Sequence, residues 1–413
     1  MKVNDEVTDM NAIAEKFAKL GVDHAPGQEV RQKEEELPLI GNPVEGSLVD
    51  FSHGDVDAFA PVPGALKLYV DGVNAGGCQA YTEYRGKKRI REELAVSLAN
   101  FTKAPIDADS ELILTPGTQG ALFLAMGAVV APGDKVAIVE PDYFANRKLV
   151  EFFEGRIVPI RMDYMAEMDK AGLDMGQLEK AFQDGVKVFE FSNPNNPTGV
   201  IYSEEEIREI AALAEKYGVT VIVDELYSRQ VFDHRTYTHL RAQNILDPDR
   251  LLTILGPSKT ESLSGYRLGT AFGSAALITR MEKLQAIVSL RCAGYNQKVF
   301  ETWFHEPEGW MEARVLAHQN IRDDLMKLFC EADGISVRMP EGGSYIFPCV
   351  EDLKLDIRVF TKVLRKLANV IVTPGTEFGP QYTNCFRLNF SQDPEAAHAA
   401  VERTIEIIKR YRV

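Results

Sequence analysis

The chain has 413 residues, of which 45% are hydrophobic and 26% charged, an ordinary globular make-up that excludes disordered and collagen-like classes. At about 100–200 residues per domain, its length implies two or three packing units. Asp and Glu outnumber Lys and Arg by 61 to 46, giving a net charge of −15 that repels phosphate backbones and anionic lipid, so neither nucleic acid nor a membrane is expected as a partner.

Residues 1–20 are charged throughout and read as a polar helix without the apolar core of a signal peptide. The longest apolar run, residues 121–131, is shorter than the about 20 residues that cross a bilayer. A cytoplasmic protein is expected. Five scattered cysteines (Cys78, Cys292, Cys330, Cys349, Cys385) form no CxxC, and the histidines form no HExxH. Reduced thiols and no metal site are therefore expected, with His234 and His239 as plain loop residues.

From about residue 110 to 275, short apolar runs alternate with amphipathic stretches. The runs cover 111–114, 135–139, 186–191, 219–223, 251–255 and 270–272, and several are apolar at consecutive positions, as strands buried on both faces are. Residues 203–217 open on a Ser-x-x-Glu capping box and repeat their apolar residues at helical spacing. This alternation predicts an α/β fold, a mostly parallel central sheet flanked by helices. Residues 310–413 instead mix long helices (311–329, 357–367, 394–412) with strand-like pieces at 344–348 and 385–390. We expect a large domain over 65–310 and a smaller α+β domain built from both termini, 1–64 with an N-terminal arm plus 311–413.

Ligands of open parallel sheets bind beyond the carboxyl ends of the strands. The first run is followed by Thr115-Pro116-Gly117-Thr118-Gln119 and a helix start, a site for an anion such as phosphate. The next runs are followed in turn by Asp142-Tyr143, by Asn193-Pro194-Asn195-Asn196-Pro197-Thr198-Gly199, by Asp224-Glu225-Leu226-Tyr227 and by Gly256-Pro257-Ser258-Lys259. Singly these have plain readings: a solvated lysine, a helix-capping Asp, an Asn-Pro turn. Together they suit a phosphorylated, cationic aromatic ring.

Asn196-Pro197-Thr198-Gly199, Asp224-x-x-Tyr227, and Ser258-Lys259 with Arg267 eight residues on resemble the fold-type I pyridoxal-phosphate enzymes, and within them the class I/II aminotransferases. Phe51-Ser52-His53-Gly54-Asp55, Tyr81-x4-Gly86-x4-Arg91 and Phe386-Arg387-Leu388 extend the resemblance from about residue 45 to the end. It implies a cofactor, pyridoxal 5'-phosphate, and a ping-pong transfer of an amino group between an L-amino acid and a 2-oxo acid. Lys259 would form the Schiff base and carry the proton between Cα and C4′. Asp224 would hold the pyridine nitrogen protonated, and Tyr227 and Asn196 would bond the ring hydroxyl oxygen. Tyr143 would stack on the ring, while Gly117, Thr118, Gln119, Ser258 and Arg267 would form the phosphate end of the site.

Arg387 would clamp the substrate carboxylate, with Gly54 letting backbone approach it; an ion-pair arginine and a turn glycine would look the same in sequence. Tyr81 resembles the tyrosine that reaches a neighbouring subunit's cofactor, which implies a homodimer with shared active sites; a core tyrosine is the plainer alternative. Gly256 departs from the family, whose members often carry Ser or Thr there. For a distal substrate carboxylate, Arg291 and the cluster Arg85, Lys87, Lys88 and Arg89 are candidates, the cluster also reading as a solvated helix start. A racemase or C–S β-lyase on the same fold is the alternative activity. A DNA-binding regulator is disfavoured, because the first 45 residues are acidic and short.

Overall fold

A computed structural model describes residues 13–21, 36–54, 56–166 and 169–413. Residues 13–20 are helical, and the rest of the expected N-terminal helix lies outside the described residues, as does Asp55 of the early glycine motif. Strand β1 (Val49–Asp50) precedes seven strands of one sheet: β2 (Leu112–Pro116), β3 (Lys135–Glu140), β4 (Arg156–Arg161), β5 (Val186–Ser192), β6 (Thr220–Asp224), β7 (Leu251–Leu255) and β8 (Leu268–Gly273). Short strands follow: β9 (Ile335–Ser336), β10 (Tyr345–Ile346), β11 (Cys349–Val350), β12 (Val370–Ile371), β13 (Thr373–Pro374) and β14 (Phe386–Asn389).

The main sheet runs β2-β8-β7-β6-β5-β3-β4. Every pair in it is parallel except those made by β8, which is antiparallel to both β2 and β7. The reversal has a local cause: β7 reaches β8 through a short loop, residues 256–267, and not through a crossover helix. β4, which the sequence reading passed over, is an edge strand containing Pro159, and only an edge tolerates the missing N–H.

Both faces of the sheet are covered. On one, Phe189, Phe191, Val221 and Val223 pack beneath Leu178 and Phe182 of helix Met175–Gln183 and Ile207 and Ile210 of helix Glu204–Tyr217. On the other, Val188, Ile222 and Ile254 meet Leu122 and Met126 of helix Gly117–Val129 and Leu277 and Met281 of helix Ala275–Val288. Each such side chain contributes about 1.5–3 kcal/mol by leaving water, which explains the unbroken apolar strands. A separate cluster joins the two chain ends: Val49 and Phe51 pack with Leu325, Phe329, Phe360, Val401 and Tyr411, and β1 pairs in parallel with β12. Among the described residues, no helix is long and apolar enough to cross a membrane.

Two expectations are corrected. Cys349 and Cys385 are joined as a disulfide, because an antiparallel bridge brings residues 36 apart in sequence to a Cα separation of 4.0 Å, a proximity that spacing cannot reveal. The other three cysteines are free. His239 is no ordinary loop residue; it is buried, with Nδ1 2.6 Å from a Glu225 carboxylate oxygen.

The capping box is present, with Glu206 N donating to Ser203 Oγ and Ser203 N donating to the Glu206 carboxylate. That buried carboxylate also accepts from the backbone of Ala171 and Gly172, tying a remote loop to the helix start. Glu206→Ala leaves several enclosed N–H groups unpaired and should cost about 3 kcal/mol, against about 1 for Ser203→Ala. Urea unfolding of the two variants measures the difference, and equal losses would contradict the loop-tying role.

Candidate active site

The carboxyl ends of β2, β3, β5, β6 and β7 open on one cavity of about 360 Å³. Its lining includes Thr118, Gln119, Tyr143, Asn196, Asp224, Tyr227, Ser258, Lys259, Arg267 and Arg387. Most strands run one or two residues further than their apolar runs: Thr115 and Pro116 close β2, Ser192 closes β5 and Asp224 closes β6.

At the β2 end, Gly117 turns the chain into its helix with φ 77°, and a Cβ there would lie 2.6 Å from Arg267 Nη2. The turn rests directly on the neighbouring strands. A Cβ on Gly269 would meet the Gly117 carbonyl carbon at 2.3 Å, and one on Gly256 would meet Thr118 Cγ2 at 2.8 Å. The family's Ser or Thr at position 256 therefore has no room here. Two helix-start N–H groups, the Ser258 hydroxyl and the Arg267 guanidinium gather at this end, a donor set that fits a phosphate.

Tyr143 precedes helix Phe144–Phe152, and its hydroxyl donates to Gln119 Oε1 at 3.0 Å. Burial, and the nearby Tyr345 phenol, push its own ionisation well above the usual range. Asp224 faces the cavity from the end of β6; burial raises its carboxyl to about 6, opposed by the Leu226 N–H and the Lys259 charge. Lys259 Nζ has no hydrogen-bond or ion-pair partner among the described residues. A buried carboxylate, an unpaired amine and a tyrosine ring lining the cavity around an anion cradle match the chemistry of a phosphorylated pyridine aldehyde.

Arg387 lies on β14 with its guanidinium between the rings of Tyr345 (4.3 Å) and Phe378 (4.8 Å). It donates to Asn196 Oδ1 (2.9 Å) and the Ser52 carbonyl (3.0 Å), and its Nε is buried without a partner. No carboxylate of the described residues pairs with it. Tyr345 is a site residue that sequence reasoning missed: it accepts from the Tyr227 hydroxyl at 2.7 Å and shares a strand face with Arg387. Burial works against ionising either phenol. For Tyr345 the Lys259 and Arg387 charges outweigh burial and lower it, while Tyr227 is pushed well above the usual range. Its one sequence signal is Gly342-Gly343 just before it, where Gly343 (φ 74°) sits against the Tyr227 ring. Asp142 and Ser192 stand at strand ends in the sequence, but nothing local there assigns them a role.

Three expected residues do not line this cavity: Gly117, which turns the chain just before Thr118, and Gly54 and Tyr81, which lie apart from it. Gly54 lines an adjoining one of about 580 Å³ that shares Ser258, Lys259 and Ser264 with the first. Tyr81 is 76% exposed, beneath the Arg291 guanidinium at 5.0 Å, and so is not a core tyrosine. Of the remaining cations, Lys88 pairs with Asp109 and Arg89 with Glu93 as a solvated helix start would, whereas Arg85 is largely enclosed and ties its loop to Glu282 and Thr279 of helix Ala275–Val288.

Similarity to known proteins gives the family. Residues 47–403 match the family model for aminotransferase class I and II. A crystal structure of an aspartate aminotransferase from Rhodobacter sphaeroides superposes with a TM-score of 0.91 at 58% identity, covering 97% of this chain and 100% of that one. Aspartate aminotransferases of Musicola paradisiaca and Sulfolobus acidocaldarius are 28% and 27% identical, over 81% and 88% of this chain and 83% and 90% of theirs. The chain belongs to the aminotransferase class I and II family, pyridoxal 5'-phosphate enzymes that move an amino group between amino and oxo acids.

Proposed function

We propose that the enzyme is a cytoplasmic, homodimeric L-aspartate:2-oxo acid aminotransferase that works by ping-pong exchange at the cavity above the sheet. Residues 65–310 would be its cofactor-binding domain, and 1–64 with 311–413 its smaller one. The observation that carries the site assignment is the convergence of an unpaired Lys259 amine, the Asp224 carboxylate and an Arg387 without a carboxylate partner on one cavity. The donor is drawn from the aspartate aminotransferase that is 58% identical to this chain.

When bound, pyridoxal phosphate supplies an aldehyde carbon for amine exchange and a ring that accepts electrons from Cα. The Gly117 and Thr118 N–H groups, Ser258 and Arg267 would hold its phosphate, and Gln119, bonded by the Tyr143 hydroxyl, would keep that ring in place to stack on the cofactor. Asp224 holds the proton on the ring nitrogen, its basicity raised by burial. Tyr227 and Asn196 bond the ring oxygen, with Tyr345 fixing the Tyr227 hydroxyl. Arg387 takes the substrate carboxylate in two parallel bonds near Gly54, which sets the Cα–H bond toward Lys259, the base that moves the proton. Lys259→Ala should lower turnover by at least about 10⁴-fold in steady-state assays with a folded, cofactor-loaded protein. Turnover near the wild-type rate would overturn the assignment.

The dimer reading rests on an exposed apolar face. Leu66, Val70 and Val73 form an i, i+4, i+7 stripe on helix Ala65–Asn74, and Tyr81, Ile287, Val288 and Leu290 are also exposed. The stripe's helix lies against the segment that follows Leu290, through Gly72 and Tyr295. Tyr81 and Arg291 stand on this face, and Arg291 has no carboxylate partner among the described residues, so both are available to a second copy's cavity, Arg291 for a distal substrate carboxylate. Val70→Asp with Ile287→Asp should give a monomer in sedimentation velocity, with weakened cofactor binding; a monomeric wild type would contradict the shared site.

A further inference from the structure

Three carboxyl groups stack below and at the rim of the cavity: Glu190 and Asp224 on one face of the sheet, and Asp142 in the loop that follows β3. Phe189 and Phe191 enter the core on the opposite face, so Val188, Glu190 and Ser192 of β5 point together toward helix Phe144–Phe152. Ser192 is in register with Asp224, whereas Glu190 lies between Ile138 and Ile222. Glu190 is therefore two residues, about 7 Å, deeper in the sheet than the rim. Its side chain is completely buried, and the one donor beside it is the Asn146 amide, too poorly aligned to satisfy either oxygen.

Asp142 is its opposite. It is also buried, but Oδ1 accepts from Tyr143 N (2.6 Å) and from the Ser192 hydroxyl, and Oδ2 accepts from Ser192 N (3.0 Å). Ser192 Oγ in turn accepts from Asn196 N at 3.1 Å. One carboxylate thus ties the ring-stacking tyrosine to the end of β5 and to the loop that holds Arg387. Three donors and no acceptor suit an anion, whereas Glu190, whose burial and acidic neighbours outweigh the single weak Asn146 donor, suits a neutral acid.

We propose that Asp142 is a positioning residue that orients Tyr143 and the Ser192–Asn196 turn and, through its charge, keeps Asp224 a strong proton acceptor, while Glu190 below it is carried as the uncharged acid. The groups facing each member agree. Asp142 and Asp224 both face Glu190, and with burial as the largest cause they drive its carboxyl far above the usual range. Burial brings Asp142 to about 7, against its three hydrogen bonds and with the Asp224 charge adding, so its negative charge is present at mildly alkaline pH. Asp224 is faced in addition by Glu225 and Lys259, and the buried Tyr202 phenol faces both Asp142 and Glu190.

The test has two parts, the first on apoenzyme. The native Glu190 carboxyl keeps its proton, while the unfolded chain loses its own above about pH 4.3, so this group's contribution to stability is full below that pH and declines as pH rises. Glu190→Gln removes that slope, and its thermal midpoint relative to wild type should climb by about 3–5 °C between pH 5 and pH 8. A difference that does not change with pH would overturn the neutral acid. The second part follows the pH midpoint of the bound cofactor's absorbance change. Asp142→Asn should lower it by about one unit, because a negative charge that favours the protonated form is gone, and Glu190→Gln should leave it in place. No shift in Asp142→Asn, or a shift in Glu190→Gln, would contradict the proposal. It rests on the assignment of Asp224 to the ring nitrogen, and Asp224→Asn separates the two: if that variant fails to move the midpoint, the Asp224 assignment falls, whereas a shift there with none in Asp142→Asn sinks the positioning role alone.

Discussion

Ser192 faces Asp224 across the β5–β6 pair, and that register sets the height of the floor on which the rest of the site stands. Parallel strands that stop at one level deliver their next residues to one rim, so groups as unlike as Tyr143, Asn196, Asp224 and Lys259 come within reach of one small molecule. The antiparallel β8 supplies what parallel strands alone could not. By returning beside both β7 and β2 it lets Gly269 seat the Gly117–Thr118 turn and brings Arg267 over it, closing the phosphate end of the cavity.

A site made this way holds charges that the protein leaves unpaired. Arg387 spends one nitrogen without a partner, and the Lys259 amine is bonded to nothing described. In a closed, low-dielectric setting such groups cost stability, and the two-faced sheet core and the separate cluster around Val49, Phe360 and Tyr411 offset that cost. The guanidinium is held by ring faces and neutral oxygens, which keep it oriented without quenching its charge.

The sheet and most of the cavity could be read from residue order because their signals are local. Apolar runs announce strands buried on two faces, and each run is followed within a few residues by the group it presents, as Val219–Val223 is by Asp224. What escaped reading depends on distant pairings. Tyr345 reaches Tyr227 across 118 positions, and the Cys349–Cys385 pair is made by a strand bridge. Asp142 reads as a turn residue beside Tyr143 until the fold carries Ser192 to it. β4 was missed because Pro159 breaks its short apolar run, although an edge position tolerates a residue without an N–H. Glu190 interrupts an apolar strand, a signal visible in the sequence whose meaning appears only when the face it points to is known.

The most direct test of the central claim, that this cavity carries out amino transfer, is to add L-aspartate to the cofactor-loaded protein with no oxo acid present and to follow absorbance and product together. The account predicts conversion of the bound aldehyde to its amine form with one equivalent of 2-oxo acid released per site. An unchanged cofactor accompanied by racemised or cleaved amino acid, or no cofactor absorbance even with pyridoxal phosphate in excess, would contradict it.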